Sequence, residues 1–372
     1  MKRNIKIYSL SAVAAATLLL GSCSDWTDSE SLEIRRPSLE AQNPALYAQY
    51  VAALRAYKEG DHKLTYVIME NEAGMAPQSQ NQRLTSYPDS VDFICMTQPE
   101  NLAAEYAAEM ETVREKGTRV VYEIDYARLE EEWTALQAAQ QPEETPSEEQ
   151  SLSQAGQEDE AQSETPSDES QATFESFAAE RLAELLACCD AYGFDGVTFT
   201  YEGPVLSGLT QTQVEALKSR LALLFEGLSE WRTVHPGKLL FFRGRPDNLP
   251  DGSFLGDCSY VIVTAESATS GEELSVELLR ACVEGVPTDR LMIGVTTPAT
   301  DDADEAGYFS QTDAAGDPLA AMVGAASWVV APSEYGLLGV AINHASNDYY
   351  NLNLVYANIR RAIHIMNPTP EK

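Results

Sequence analysis

A (β/α)8 TIM barrel, within the α/β class, is the fold this sequence predicts, and three observations predict it. Eight short apolar runs bounded by turn residues recur along the chain, as buried parallel strands do. Stretches with helical spacing fall between them. Asn71-Glu72-Ala73-Gly74, after the first run, is not the glycine-rich phosphate loop that an open doubly wound sheet would usually carry there.

The first residues read as a lipoprotein signal peptide, residues 1–22. Lys2, Arg3 and Lys6 are basic, and Leu10 to Leu20 is an apolar stretch too short to span a bilayer. Leu20-Gly21-Ser22-Cys23 fits a lipobox, which makes Cys23 the predicted lipidation site. Residues 23–43 read as a polar, acidic tether punctuated by Pro37. The Ser24-Asp25 pair with Asp28 and Glu30 resembles the tether of Bacteroidetes lipoproteins displayed at the cell surface. That resemblance implies a lipid anchor in the outer membrane, with periplasmic display left open.

The barrel is expected over residues 44–368. Ala45–Glu59 has helical spacing, with Leu46, Tyr50, Ala53, Leu54 and Tyr57 on one face. Leu64–Glu70 is the first strand and Val91–Met96 the second. A helix over about 99–116, stopped by Gly117, leads to the third strand, Arg119–Asp125. Residues 140–172 break the pattern. Between Pro142 and Ser170 there is no Lys or Arg, and Glu144-Thr145-Pro146-Ser147 recurs as Glu164-Thr165-Pro166-Ser167. Such a segment buries too little apolar surface to offset its ordering entropy and is expected to be a disordered acidic insertion. A helix over about 174–192 leads to the fourth strand, within Gly193–Gly203. Next come a helix over about 212–234, then strands at 238–243 and 259–265. A helix near 272–284, a strand at 291–296, a helix near 317–329, a strand at 337–343 and a last helix over about 352–365 complete the set.

A net charge of −33 argues against nucleic acid and anionic lipid surfaces as partners and says little about neutral ligands such as sugars. With Cys23 assigned to the lipid, Cys95, Cys188, Cys189, Cys258 and Cys282 remain, an odd number among apolar neighbours. They read as structural thiols without a disulfide framework. His62, His235, His344 and His364 lack metal-ligand spacing, so no metal and no cofactor is expected.

The fourth strand carries the chemistry. In Asp195-Gly196-Val197-Thr198-Phe199-Thr200-Tyr201-Glu202 alternation puts Gly196, Thr198, Thr200 and Glu202 on one face and Val197, Phe199 and Tyr201 on the other. The polar set is expected to face the barrel axis, with Glu202 at the C-terminal mouth where barrel enzymes work. The stretch resembles the Asp-Gly-x-Asp-x-Asp-x-Glu signature of glycoside hydrolase family 18, the chitinases and endo-β-N-acetylglucosaminidases. Asp195, Gly196 and Glu202 match in register; Thr198 and Thr200 stand where the family has aspartates.

That resemblance implies substrate-assisted hydrolysis. The signature's Glu is the general acid, and the Asp two residues before it stabilises the cationic intermediate formed by the substrate's own acetamido group. Glu202 is then the candidate acid. Thr200 can hydrogen-bond but brings no negative charge to a developing cation. Loss of one preorganised electrostatic group costs on the order of 10²–10³ in rate. The family's frequent Tyr at the end of strand six and Trp at the end of strand eight are also absent. Other polar residues at strand ends are Glu70, Gln98, Glu123, Asp125, Arg243, Glu266, Asn343 and His344. Of these, Glu70, Gln98, Asp125, Arg243, Glu266 and Asn343, together with Thr198 and Thr200, are the expected binding residues, with Asp195 and Gly196 structural. The neighbourhood of Tyr201, together with Tyr349 and Tyr350, is the candidate source of sugar-stacking aromatics.

These features predict a cell-surface lipoprotein that binds N-acetylglucosamine-containing glycans through a catalytically degenerate barrel, working with a glycan-uptake complex of the outer membrane. The alternative is an active endo-β-N-acetylglucosaminidase with Glu202 as acid and Asp125, Glu123 or Glu266 replacing the missing aspartate. A third is an adhesion lipoprotein with no sugar ligand.

Overall fold

The computed structural model describes residues 39–140, 173–299, 306–332, 335–351 and 354–369. The signal peptide, Cys23, most of the tether and nearly all of the acidic insertion lie outside the described residues. Within the tether region, Leu39–Gln42 forms one helical turn. The helix that follows, α1 (Pro44–Glu59), is opened by Asn43, whose Oδ1 accepts from the Leu46 amide at 3.1 Å. The chain divides into two compact units, Met1–Tyr50 and Val51–Lys372; the second contains the barrel.

Eight parallel strands close on themselves. They are β1 (Leu64–Met69), β2 (Phe93–Met96), β3 (Arg119–Asp125), β4 (Gly196–Tyr201), β5 (Leu239–Gly244), β6 (Tyr260–Thr264), β7 (Leu291–Thr296) and β8 (Gly339–Asn343). Each pairs with its sequence neighbours, and β1 pairs with β8 to complete a (β/α)8 barrel. The helices are α2 (Ala104–Glu115), α3 (Tyr126–Gln140), α4 (Phe174–Ala191), α5 (Gln211–Val234), α6 (Gly271–Ala281), α7 (Ala321–Val329) and α8 (Ala357–Met366). Capping boxes at Thr173/Ser176 and Thr210/Gln213 start α4 and α5.

Two features differ from the sequence expectation. Helix α3 has no counterpart in it. The expected helix over 317–329 starts only at Ala321, because Tyr308–Thr312 and Pro318–Ala320 pair as an antiparallel hairpin first. Gly316, at a φ of +90°, makes the turn that a helix there could not contain. The β1–β2 and β5–β6 connections hold only 3₁₀ turns; Pro77, Pro88, Pro246 and Pro250 break longer helices in both.

Packing follows the alternation. Val197, Phe199 and Tyr201 point outward into the layer beneath the helices, where Phe199 meets Phe225 of α5 edge-on at 5.5 Å. The interior is filled by a separate cluster that includes Tyr66, Phe93, Cys95, Val121, Phe241, Ile262 and Met292. Phe241 lies 5.2 Å from Tyr66, 5.1 Å from Phe93 and 5.0 Å from Tyr260, ring centre to ring centre. Aromatic rings therefore plug the lower half of the barrel, and polar strand-end residues crown the upper half. Cys95, Cys189 and Cys258 are buried, Cys188 and Cys282 half-buried, and all five are free. No helix among the described residues is long and apolar enough to cross a membrane.

Candidate functional site

The C-terminal mouth of the barrel holds a cavity of about 550 Å³, lined by Asp125, Tyr126, Glu130, Thr200, Glu202, Arg243, Arg245, Thr264, Glu266 and Glu277 among others. Strand register builds it. Thr200 of β4 lies opposite Asp125 of β3 on one side and Arg243 of β5 on the other, so all three point inward at one level. A smaller groove, about 270 Å³, lies outside the barrel against Phe225 and Phe254 and contains none of the strand-end residues.

At the centre is a chain of charged and polar groups. The Thr200 hydroxyl donates to Glu123 Oε1 at 2.5 Å. Arg243 donates to the same Glu123 oxygen at 3.0 Å and to Glu266 Oε1 at 2.6 Å. Asn343 donates from Nδ2 to Glu266 Oε2 at 3.0 Å. Burial works against the Arg243 charge, but Glu123 and Glu266 outweigh it and hold the guanidinium more firmly protonated than usual. Sequence reasoning named Glu123 only as one of several strand-end acids. Its position opposite Thr198 in the β3–β4 register is what lets its longer side chain rise to Thr200.

Two further acids of the cavity, Glu202 and Asp125, are destabilised as anions. Glu202 is exposed, but to a walled cavity rather than open solvent, and the lost solvation raises its carboxyl above the ordinary range. The Thr264 hydroxyl pulls the other way, although its geometry falls short of a hydrogen bond, and so do Arg243 and Arg245. Asn248, which sequence reasoning missed, fixes the turn that aims Glu202: its Nδ2 donates to the Glu202 and Gly203 carbonyls at 2.8 and 2.9 Å. Burial first, and the Glu123 charge second, push the Asp125 carboxyl up to about 6.

Asp125 has a consequence for stability. Its folded value lies above the unfolded one, so the folded state holds the proton more tightly. Stability is then lost as pH rises from about 4 to about 6, and the full penalty is present at pH 7. Asp125→Asn, which can still accept from the Ala127 amide at 3.0 Å, is expected to stabilise the protein by about 1–3 kcal/mol at pH 7. The gain should vanish at pH 4 in parallel urea titrations; an equal gain at both would contradict the assignment.

The expected binding residues separate into three groups. Thr200, Asp125, Arg243, Glu266 and Glu202 converge on the cavity. Thr198 does not line it: fully buried one layer below, it shares a 2.7 Å hydrogen bond with the Tyr66 hydroxyl. Asn343, Glu70 and Gln98 stand around the rim. Asn343 bonds Glu266, Glu70 meets the His344 imidazole, and Gln98 accepts from Arg128 at 2.5 Å. Asp195 is at the opposite end of β4, where its Oδ2 accepts from the Val120 amide at 2.7 Å and from Arg114 at 2.8 Å. Trp328 packs outside, donating to Ser275 at 3.0 Å. Among the described residues no group of side chains is arranged to hold a metal ion.

Comparison with known proteins agrees with this architecture. The family model described as glycoside hydrolase family 18, BT1044-like, matches residues 27–365. A selenomethionine structure of a BT1044 variant superposes with a TM-score of 0.61 at 16% identity, covering 90% of this chain and 96% of that one. An endo-β-N-acetylglucosaminidase variant from Cordyceps militaris, in complex with fucosyl-N-acetylglucosamine-Asn, gives 0.55 at 15% identity, covering 86% and 95%. A chitinase from Bacteroides thetaiotaomicron gives 0.51 at 12% identity, covering 82% and 97%. At these identities the likeness concerns the fold. No protein with a curated description matches the chain.

Proposed function

The chain belongs to glycoside hydrolase family 18, in its BT1044-like group, and from that premise we propose that it binds N-acetylglucosamine-containing glycans and has lost most of the hydrolytic reaction. One observation carries this reading. The hydroxyl of Thr200 is committed to Glu123, and the Glu123 charge is committed to Arg243. The nearest carboxylate to the vacated aspartate position is therefore already neutralised and offers little to a developing cation. The mouth keeps what recognition needs: a cavity of sugar size with donors and acceptors held in fixed positions. The lipobox at Cys23 supports an outer-membrane anchor facing the cell surface, where such a protein would hold glycans for an uptake complex.

A second reading, an endo-β-N-acetylglucosaminidase, is favoured by the raised carboxyl of Glu202, which suits a proton donor, and by Asp125 standing in register beside Thr200. A glycan array followed by calorimetry, with mass spectrometry of glycans released from a glycoprotein, separates the two. Binding without release is the expected result. Release that disappears in Glu202→Gln would establish the hydrolase instead, and absence of both binding and release would remove the sugar altogether.

A further inference from the structure

Away from the cavity, the rim between β8 and β1 carries a column of tyrosines. Tyr87 stacks on Tyr356 at 4.6 Å and 23°. Tyr356 meets Tyr349 edge-on at 5.4 Å, and Tyr349 meets Tyr350 edge-on at 5.1 Å. The first two rings are buried, whereas Tyr350 is 60% exposed. Exposed tyrosines usually move; this one is held at both ends. Its ring abuts Tyr349, and its hydroxyl donates to Asn81 Oδ1 at 3.0 Å, an oxygen that also accepts from the Ser79 hydroxyl. Asn81 belongs to the connection after β1 and Tyr350 to the turn after β8, so both lie on the C-terminal face that contains the cavity.

Polar side chains stand between the two places, the last of them buried beneath the tyrosines. Glu266 lines the cavity and accepts from Asn343. His344, the next residue, meets the Glu70 carboxylate, which raises its imidazole above the usual range. Ser346, two residues on, shares a 3.3 Å hydrogen bond with the Tyr87 hydroxyl at the base of the tyrosine column. An extended polar ligand leaving the cavity over the exposed Glu70 and His344 side chains would arrive at an apolar ring already fixed in place.

We propose that Tyr350 is the platform of a second sugar subsite, stacking the C–H face of a pyranose ring from the same glycan that occupies the cavity, with Glu70 and His344 as polar partners between. This rests on the glycan-binding reading above. An aromatic ring suits this task because its face is apolar while its hydroxyl stays bonded to protein. A ring immobilised beforehand loses little side-chain freedom on binding.

The test is calorimetry with chitobiose and chitohexaose on the wild type, Tyr350→Ala and Tyr350→Phe. Tyr350→Ala is expected to weaken chitohexaose binding by about tenfold and to leave any chitobiose binding unchanged, because only the longer ligand reaches both places. Tyr350→Phe keeps the ring and is expected to stay within about twofold of the wild type. Tyr350 is on the surface, so both variants should fold, which circular dichroism checks. The platform is overturned if Tyr350→Ala matches the wild type with chitohexaose, if both ligands weaken equally, or if Tyr350→Phe is as weak as the alanine variant. Wild-type protein without affinity for chitohexaose also overturns it; the glycan array then decides separately whether the broader reading falls.

Discussion

Arg243→Met is expected to destabilise the barrel by about 3–5 kcal/mol at pH 7. The Arg243 and Glu123 side chains are only 11% and 13% exposed. Removing the cation leaves Glu123 and Glu266 facing each other across the mouth with little solvent. The larger part of the loss is the cost of those stranded anions, not the worth of the ion pairs themselves. One consequence distinguishes this from a packing defect: Arg243→Met combined with Glu123→Gln should recover much of the lost stability. Urea titrations at pH 7 measure it. A loss unrelieved by the second substitution would refute the electrostatic account.

Gly196→Ala is the second large effect, about 3 kcal/mol or more, with loss of soluble protein a natural extreme. A Cβ on Gly196 would lie 2.2 Å from the Leu239 carbonyl oxygen and 2.7 Å from the Leu239 amide nitrogen. Those atoms are backbone of β5, so relief requires parting two barrel strands rather than turning a side chain. Gly208 supplies the control. An added Cβ there meets nothing within 4 Å, and Gly208→Ala should change stability by no more than about 0.5 kcal/mol. Equal behaviour of the two variants in thermal unfolding would show that the β4–β5 contact tolerates the methyl group.

Much of the barrel was legible because its strands are buried on both faces. Arg119–Asp125 and Leu291–Thr296 end where the apolar runs end, and the other strands differ from the reading by a few residues at their edges. Helix α3 was missed although Ala127, Leu129, Glu130, Glu131 and Glu132 are strong helix formers. Its last turn, Gln137-Ala138-Ala139-Gln140, merges with the low-complexity stretch, so Pro142, two residues on, reads as part of that stretch rather than as the stop of a helix. The hairpin at Tyr308–Ala320 was hidden for a different reason. Its strand Tyr308–Thr312 is mostly exposed, so it lacks the apolar run that marks the barrel strands, and Gly316 was its clearest local signal.

At the site, sequence identified which residues reach the mouth but not how they share it. Asp125, Thr200, Glu202, Arg243 and Glu266 follow from strand ends and alternation. That Glu123 rather than Asp125 takes the Thr200 hydroxyl depends on side-chain length and on the guanidinium above it, which no spacing rule contains. Thr198 was misplaced because alternation says which face a residue takes and not how deep it sits. Asn248 was invisible for a third reason: its task is to bind two carbonyls of a turn that is distant in sequence.

The two ends of the fourth-strand motif sit at opposite ends of the barrel. Asp195 joins β3 and α2 at the base through the Val120 amide and Arg114, whereas Glu202 faces the cavity. Selection can therefore act on them independently. Asp195 and Gly196 serve strand contacts at the base of the barrel, and Thr198 is buried one layer below the cavity, while positions 200 and 202 face the cavity and can change without disturbing those contacts. The lower half of the signature follows the barrel, and its upper end follows whatever the cavity receives.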